Sequence, residues 1–256
     1  MKTMGQVILD LNKTSDEKAF QIALDEALFQ QKAITPYLLE IVVNYPTLYG
    51  VNSNYKVFLC ALYLLAQFRE KAAYPIIINL TSKNGLAIEL LDSFAENVSV
   101  GLGRVLASVC GSDIFPIKQL IGNQKRSKAL RDAGLRSLVV LYNNDKLLRE
   151  ELVLYFTELI HHCLEEEDSP AFCGSLLSYC NIIYPEEFYQ LIVKCFDQNK
   201  VDLTKIKLDN ISVQMLKDKA GVLKKLKKNP DIQLINNADL ELNCCGFLTH
   251  NSLRFH

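Results

Sequence analysis

Leu102-Gly-Arg-Val-Leu-Ala-Ser-Val-Cys-Gly-Ser-Asp-Ile-Phe-Pro-Ile-Lys-Gln-Leu-Ile121, continued by Ser127-Lys-Ala-Leu-Arg-Asp-Ala-Gly-Leu-Arg-Ser-Leu-Val-Val-Leu-Tyr142, decides the fold. It reads as helix, tight turn, helix, loop, helix. At about 100° per residue, Leu130, Ala133, Gly134, Ser137, Leu138 and Leu141 fall on one stripe, the i, i+3, i+4, i+7 pattern of a packed helix. Gly134 and Ser137 are small, so a neighbouring helix can approach closely there. Leu135, Val139 and Val140 lie off the stripe, which predicts a second half covered on more than one side, as in the middle of a stack.

Outward from this stretch the chain repeats itself. A shift of about 41 residues places Leu65 on Leu106, Ala66 on Ala107, Phe68 on Val109, Tyr74 on Phe115, Pro75 on Pro116 and Ile76 on Ile117 without a gap. A third copy sets Leu138 and Leu141 before Leu147 and Leu148, and a fourth sets Leu176 and Leu177 before Tyr184-Pro185. A period of roughly 32 to 41 belongs to stacked helical hairpins, in which no unit buries its apolar face alone. The spacing therefore predicts an all-α superhelix of stacked hairpins. Flanking signals place helices at about 16 to 31, from Thr35-Pro36 to about Tyr45, at about 55 to 69 and from Tyr74-Pro75 onward. Further helices are expected at about 146 to 164, from Ser169-Pro170 to Ile183, from Pro185 to Asn199, and at about 212 to 228. The expected organisation is one helical-repeat domain over 1–228 and a poorly structured tail over 229–256, where the periodicity is lost.

With 256 residues, 49% of them hydrophobic, the chain can bury a substantial core, and its formal net charge of -1 gives no basic excess of the kind nucleic-acid binders carry. A nucleic-acid partner is not expected. No run approaches the roughly 18 apolar residues of a membrane span, and the first residues lack the apolar core of a secretory signal. The reading is a cytoplasmic protein, with non-classical export as a bacterial effector left open. Eight cysteines without a C-x-x-C pair fit free thiols in a reducing compartment.

The nearest approach to a metal site is His161-His-Cys-Leu-Glu-Glu-Glu-Asp168, where His161 and Glu165, or His162 and Glu166, could share a helix face. Two ligands do not make a site that needs three or four, so no metal and no cofactor is assigned. Cys244-Cys245 with His250 and His256 match no common zinc spacing. No nucleophile elbow, Walker loop or complete G-x-G-x-x-G occurs, and Gly101-Leu-Gly103 lies inside a helical pattern, so no catalytic residue is assigned. Arg104, Arg131, Asp132 and Asp113 are the polar residues most embedded in the repeat. They predict a ladder of Arg–Asp pairs between neighbouring hairpins, with ligand binding by Arg104, Arg131 and Asp132 as the alternative. Lys217, Lys224, Lys225 and Lys228 share one side of the last predicted helix, while Lys219 and Lys227 intrude on its apolar side. A solvated outer face of a terminal repeat explains this pattern, and a membrane-surface contact is the alternative.

With these residues laid out, the chain resembles the bacterial family designated domain of unknown function 1186, over about Glu17 to Ile211. The resemblance is carried by Ile34-Thr-Pro36, Tyr74-Pro-Ile-Ile-Ile-Asn-Leu80, Leu102-Gly-Arg-Val-Leu-Ala-Ser-Val109, Leu130-Arg-Asp-Ala133, Arg149-Glu-Glu151 with Tyr155-Phe156, and Tyr184-Pro-Glu-Glu187. It implies an alpha-alpha superhelix related to HEAT repeats and supplies no activity, cofactor or catalytic residue. Some members end in a cysteine-rich SEC-C motif, whose C-x-C element is missing at Cys244-Cys245. The functional expectation is a non-enzymatic scaffold holding a protein or peptide in a groove lined by the second helix of each hairpin. The alternatives are a metal-dependent enzyme using His161, His162 and neighbouring carboxylates, or a membrane-surface protein using the lysine-rich last helix.

Overall fold

The computed structural model describes residues 2–12, 17–48, 56–82, 101–165 and 168–244. Among them every regular element is helical, as the repeat predicts. The chain divides into two compact units, Met1–Gly111 with Leu234–His256, and Ser112–Gln233.

The first unit contains α1 (Met4–Leu11), α2 (Glu17–Phe29), α3 (Gln31–Leu48), α4 (Lys56–Gln67), α5 (Ala73–Ser82) and α6 (Gly101–Val109). Helix α4 is its centre. Every residue from Lys56 to Ala66 is buried, because α1, α3 and α6 pack around it. A helix apolar on all sides has to be enclosed in this way. The single charge on that stretch, Lys56, places its ammonium 4.0 Å from the Phe20 ring centroid, and burial lowers its pKa. Helix α3 starts earlier than the Thr35-Pro36 signal suggests. Ala33 and Ile34 donate to the Gln30 carbonyl, so a turn forms ahead of the proline, and the Thr35 hydroxyl donates back to the Gln31 carbonyl at 2.8 Å.

The second unit is a stack of hairpins. It contains α7 (Phe115–Gly122), α8 (Lys128–Asn143), α9 (Arg149–Glu165), α10 (Pro170–Ile182), a 3-10 turn (Glu186–Phe188) running into α11 (Tyr189–Asp197), α12 (Leu208–Met215), α13 (Lys219–Leu226) and a second 3-10 turn (Pro230–Ile232). The second helices α8, α10 and α12 pack in sequence, and the first helices α9 and α11 do the same. The stripe predicted on α8 is buried throughout, and so are Leu135, Val139 and Val140. Gly134 explains the close approach, since a Cβ there would lie 2.6 Å from Ile121 Cγ1 of α7.

The turns inside the four sequence copies share one backbone device. Arg69, Gly111, Asp145 and Tyr184 each have positive φ (58°, 65°, 57° and 74°), one in each copy. A left-handed residue just past a helix end lets the next amides reach back to the open carbonyls, as when Glu70 donates to the Leu65 carbonyl and Lys146 to that of Leu141. Only one of the four is glycine.

The helix predicted over 212–228 is two helices. Asp218 interrupts it, its carboxylate accepting from the Gly221 amide at 2.6 Å to start α13, while the Tyr184 hydroxyl lies 3.2 and 3.1 Å from the Met215 and Lys217 carbonyls. Residues 229–244, where the sequence suggests irregular tail, form the second 3-10 turn and α14 (Ala238–Cys244). Ile232 is buried in the second unit. Leu234, Ile235, Ala238 and Leu242 are buried in the first, where α14 lies against α4.

Candidate functional site

Ser127 caps α8, its hydroxyl accepting from the Leu130 amide at 3.2 Å, and this fixes Arg131 one turn in. All three guanidinium nitrogens are engaged. Nε donates to the Ile121 carbonyl at 2.7 Å, the terminal nitrogens grip both Asp168 oxygens at 2.8 and 2.7 Å, and the plane lies 3.5 Å from the Phe172 ring centroid. Both side chains of the pair are about as buried as core leucines, at 5% and 6% exposure. Burial pushes the Asp168 carboxyl pKa up, but the hydrogen bonds and charge of Arg131 outweigh it and hold the group below its ordinary range. The partner lies 37 residues on, one repeat away, so the pair ties one hairpin to the next.

The same interval recurs. Arg149 grips Glu187, 38 residues on, at 2.9 and 2.7 Å, and also donates to the Ile183 and Tyr184 carbonyls. Burial raises the Glu187 pKa, yet Arg149 brings it down to about 2. The Tyr155 hydroxyl donates to the Lys118 carbonyl, 37 residues back, at 3.0 Å. The sequence shows the residues of the Arg149 staple without its partner. A search for oppositely charged pairs one period apart finds it.

Arg104 belongs to the first unit and is paired differently. Its terminal nitrogens meet Glu241 of α14 at 2.8 and 2.7 Å, a carboxylate 137 residues away. The ladder expected among Arg104, Arg131, Asp132 and Asp113 is thus built with other acids. Asp113 instead accepts from the Phe115 amide at the start of α7. Successive residues on a helix diverge by about 100°, which sends Asp132 away from Arg131 to a different face.

Asp132 lies on a partly exposed polar row. Lys128, Asp132 and Arg136 are four apart along α8, and all three are half-buried. The buried Tyr179 hydroxyl of α10 donates to Asp132 at 3.0 Å, and the Arg136 guanidinium lies 5.6 Å from the same ring's centroid. Burial and the Asp132 charge push the Tyr179 pKa well up, keeping the phenol a donor. The Arg136 Nε is buried without an acceptor. At the other end of the row Lys128 meets Lys205, and burial followed by the second ammonium lowers its pKa against the opposing influence of Asp132 and Asp202. Lys205 is held there because its Cβ packs over Gly174 while the Asp202 amide donates to the Pro170 carbonyl.

The other candidates are not brought together. His161 and His162 are exposed near the end of α9, and Asp168 is turned to Arg131. Glu166, Glu167, Cys245, His250 and His256 lie outside the described residues, and among the described residues no three His, Cys, Asp or Glu side chains form a metal-holding group. Cys60, Cys110, Cys163, Cys173, Cys180 and Cys195 are buried thiols. The contact of Cys173 with Cys163 and Cys195 raises the Cys173 pKa and lowers that of Cys195, and burial raises that of Cys180.

On α13 the two lysines that intrude on the apolar side are bound within the fold. Lys219 pairs with Glu186 and Glu187, and Lys227 donates to the Asn143 carbonyl and to Asp145. No helix among the described residues is long and apolar enough to cross a membrane.

No solved structure matches this chain. An uncharacterized protein of Chlamydia trachomatis serovar D is 34% identical over 193 residues, covering 74% of this chain and 75% of its own. An uncharacterized protein of Chlamydia muridarum is likewise 34% identical over 193 residues, covering 74% and 76%. Residues 3–247, nearly the whole helical chain including the segment that completes the first unit, match one family throughout, and the chain belongs to it: the protein of unknown function family DUF1186.

Proposed function

We propose that this chain is a non-enzymatic helical-repeat scaffold that holds a protein or peptide partner on the surface made by α8 and α10, in the cytoplasm. The observation that carries the reading is the Lys128, Asp132, Arg136 row, a set of partly exposed polar groups along a helix most of whose residues are buried, joined to Tyr179 of the neighbouring second helix. Arg131 ties together the hairpins that present this surface, and Arg104 is engaged within the first unit. Of the three residues expected to bind, Asp132 is the one on it. Second helices packed side by side supply an extended face with rigid backbone, which suits recognition of an extended segment better than chemistry on a small substrate.

The test is photo-crosslinking in the native host with a crosslinking amino acid at Ser178, half-buried on α10 next to Tyr179, and at exposed Glu158 on α9 as a control. The reading expects one protein to be trapped from position 178 and not from 158, and to rebind when purified. Absence of any such protein from position 178 and its neighbours overturns it.

A further inference from the structure

Helix α12 is the last of the second helices in the stack, and a terminal repeat needs a polar outer face to stay in solution. Its exposed face is not polar. Where the helix expected over 212–228 is interrupted ahead of Asp218, Val213 is 54% exposed and Leu216 87%, more than any other large apolar side chain among the described residues. At about 100° per residue the two lie about 60° apart, with Lys217 about 40° beyond Val213. Ala220, in the first turn of α13, is exposed as well.

The segment that carries this apolar corner is charged with one sign. From Lys200 to Lys228 it holds nine lysines and three aspartates, a net charge of +6 in a chain whose total is -1. Lys219 and Lys227 spend their charge on Glu186, Glu187 and Asp145. Lys207, Lys217, Lys224, Lys225 and Lys228 stand exposed. Of the aspartates, Asp202 accepts from the Thr204 amide and hydroxyl at 2.9 and 2.7 Å, Asp218 caps α13, and Asp209 lies exposed one turn before Val213.

We propose that the corner between α12 and α13 docks on an anionic lipid surface, with Leu216 and Val213 entering the headgroup boundary and the exposed lysines meeting lipid phosphates. The apolar pair decides between lipid and other polyanions. A nucleic-acid strand has nothing apolar to offer Leu216, and the segment from Lys200 to Lys228 contains no arginine and no aromatic for base contact or stacking. A helix-binding protein groove takes a whole helix face, whereas here the most exposed apolar side chain stands at the turn that ends α12. Charges of this kind are screened within about 10 Å at 0.1 M salt, so the docking is reversible and salt-sensitive. The corner is separate from the α8 and α10 surface, and the proposal does not depend on the scaffold reading.

The chain contains no tryptophan, so Leu216→Trp places a single fluorophore at the contact. The full chain is mixed with vesicles of equal parts phosphatidylglycerol and phosphatidylcholine, or of phosphatidylcholine alone, and followed by sedimentation and by the Leu216→Trp emission. Sedimentation with the anionic vesicles at low salt, release as salt rises, and a blue shift with those vesicles alone are the expected results. Lys224→Gln with Lys225→Gln and Lys228→Gln should weaken binding at least about tenfold, and Leu216→Asn severalfold. Lys18→Gln with Lys32→Gln, and Phe29→Ser, exposed positions of the first unit, should leave it unchanged. Circular dichroism melting separates loss of binding from loss of fold, and Leu216→Trp should keep the binding that Leu216→Asn loses. No sedimentation of the wild-type chain, equal sedimentation with neutral vesicles, binding without a blue shift, or equal losses from the first-unit variants would each overturn the proposal. So would a bound hexamer of glutamate or of thymidine nucleotide that the anionic vesicles fail to displace.

Discussion

Arg131 and Arg104 make the same kind of bond in two differently built units. Arg131 reaches Asp168 one repeat ahead, and Arg149, Tyr155 and Lys219 make further ties between 32 and 38 residues long. These ties stitch the second unit hairpin to hairpin, and its last residues, Lys227 and Ile232, reach back 82 to 89 residues to Asn143, Asn144 and Asp145. Arg104 reaches Glu241 at a separation of 137, and it has company. Ile235 donates to Ser108 at 3.0 Å, Ala238 to Gln67 at 2.7 Å, and Arg69 donates to the Ile235 carbonyl and the Asn236 side chain. The first unit is closed by a segment that returns after the whole stack has been traversed. One unit grows by repetition, and the other has to be completed from elsewhere.

The strongest way to break this contrast is to remove residues 234–256. Burial of Leu234, Ile235 and Leu242 is lost together, on the order of 5 kcal/mol or more at about 1.5–3 kcal/mol for each side chain. Hydrogen exchange should show α4 and α6 losing protection, with α8 and α10 keeping theirs. Uniform protection across both units would mean that the return segment does not close the first. Next in size is Arg131→Ala, which strands a buried carboxylate and should cost about 3–5 kcal/mol in urea unfolding. Arg131→Met with Asp168→Leu should recover much of that loss. If the double variant is no better than the single one, the pair contributes more than its mutual neutralisation.

Within the stack, Gly134→Ala puts a methyl against Ile121 and should cost about 1–3 kcal/mol by overpacking. A neutral result would show that α7 and α8 are free to separate there. Acid should act on the second unit through Glu187. Its pKa is about 2 in the folded chain against an ordinary 4.5, so its stabilising contribution is complete above pH 4.5 and is lost as the pH falls toward 2. Glu187→Gln should flatten the stability profile across that window, and an unchanged slope would remove Glu187 from the account. The smallest effect expected is from Lys219→Ala, below about 1 kcal/mol, because that ion pair is open to solvent.

The contrast also explains what could be read in the sequence. The face of α8 and the close contact at Gly134 follow from period and residue size, which are local properties. The left-handed residues in the four turns are hidden because three of them, Arg69, Asp145 and Tyr184, are not glycine. The partners of Arg131 and Arg104 are hidden for two reasons. Asp132 is adjacent in sequence but on another face, whereas Glu241 sits in a seven-residue helix too short to show a period. The same shortness makes 229–244 look irregular. Of the polar row the sequence singles out only Asp132, since nothing local marks Lys128 and Arg136 until Tyr179 of the neighbouring helix is placed beside Asp132.

The return of residues 234–244 sets an order of events on the ribosome. Helices α1 to α6 emerge first, but the strap that seals Ser108, Gln67 and Arg104 is translated only after every hairpin of the second unit. The second unit draws only on residues within Ser112–Gln233, most of its ties reaching about one repeat ahead and the longest 89 residues, so it can close before the strap is made. Contacts that wait for a distant segment form late and leave apolar surface open meanwhile. The half of the molecule synthesised first is thus the half finished last, and its nascent α4 is the surface a chaperone would meet.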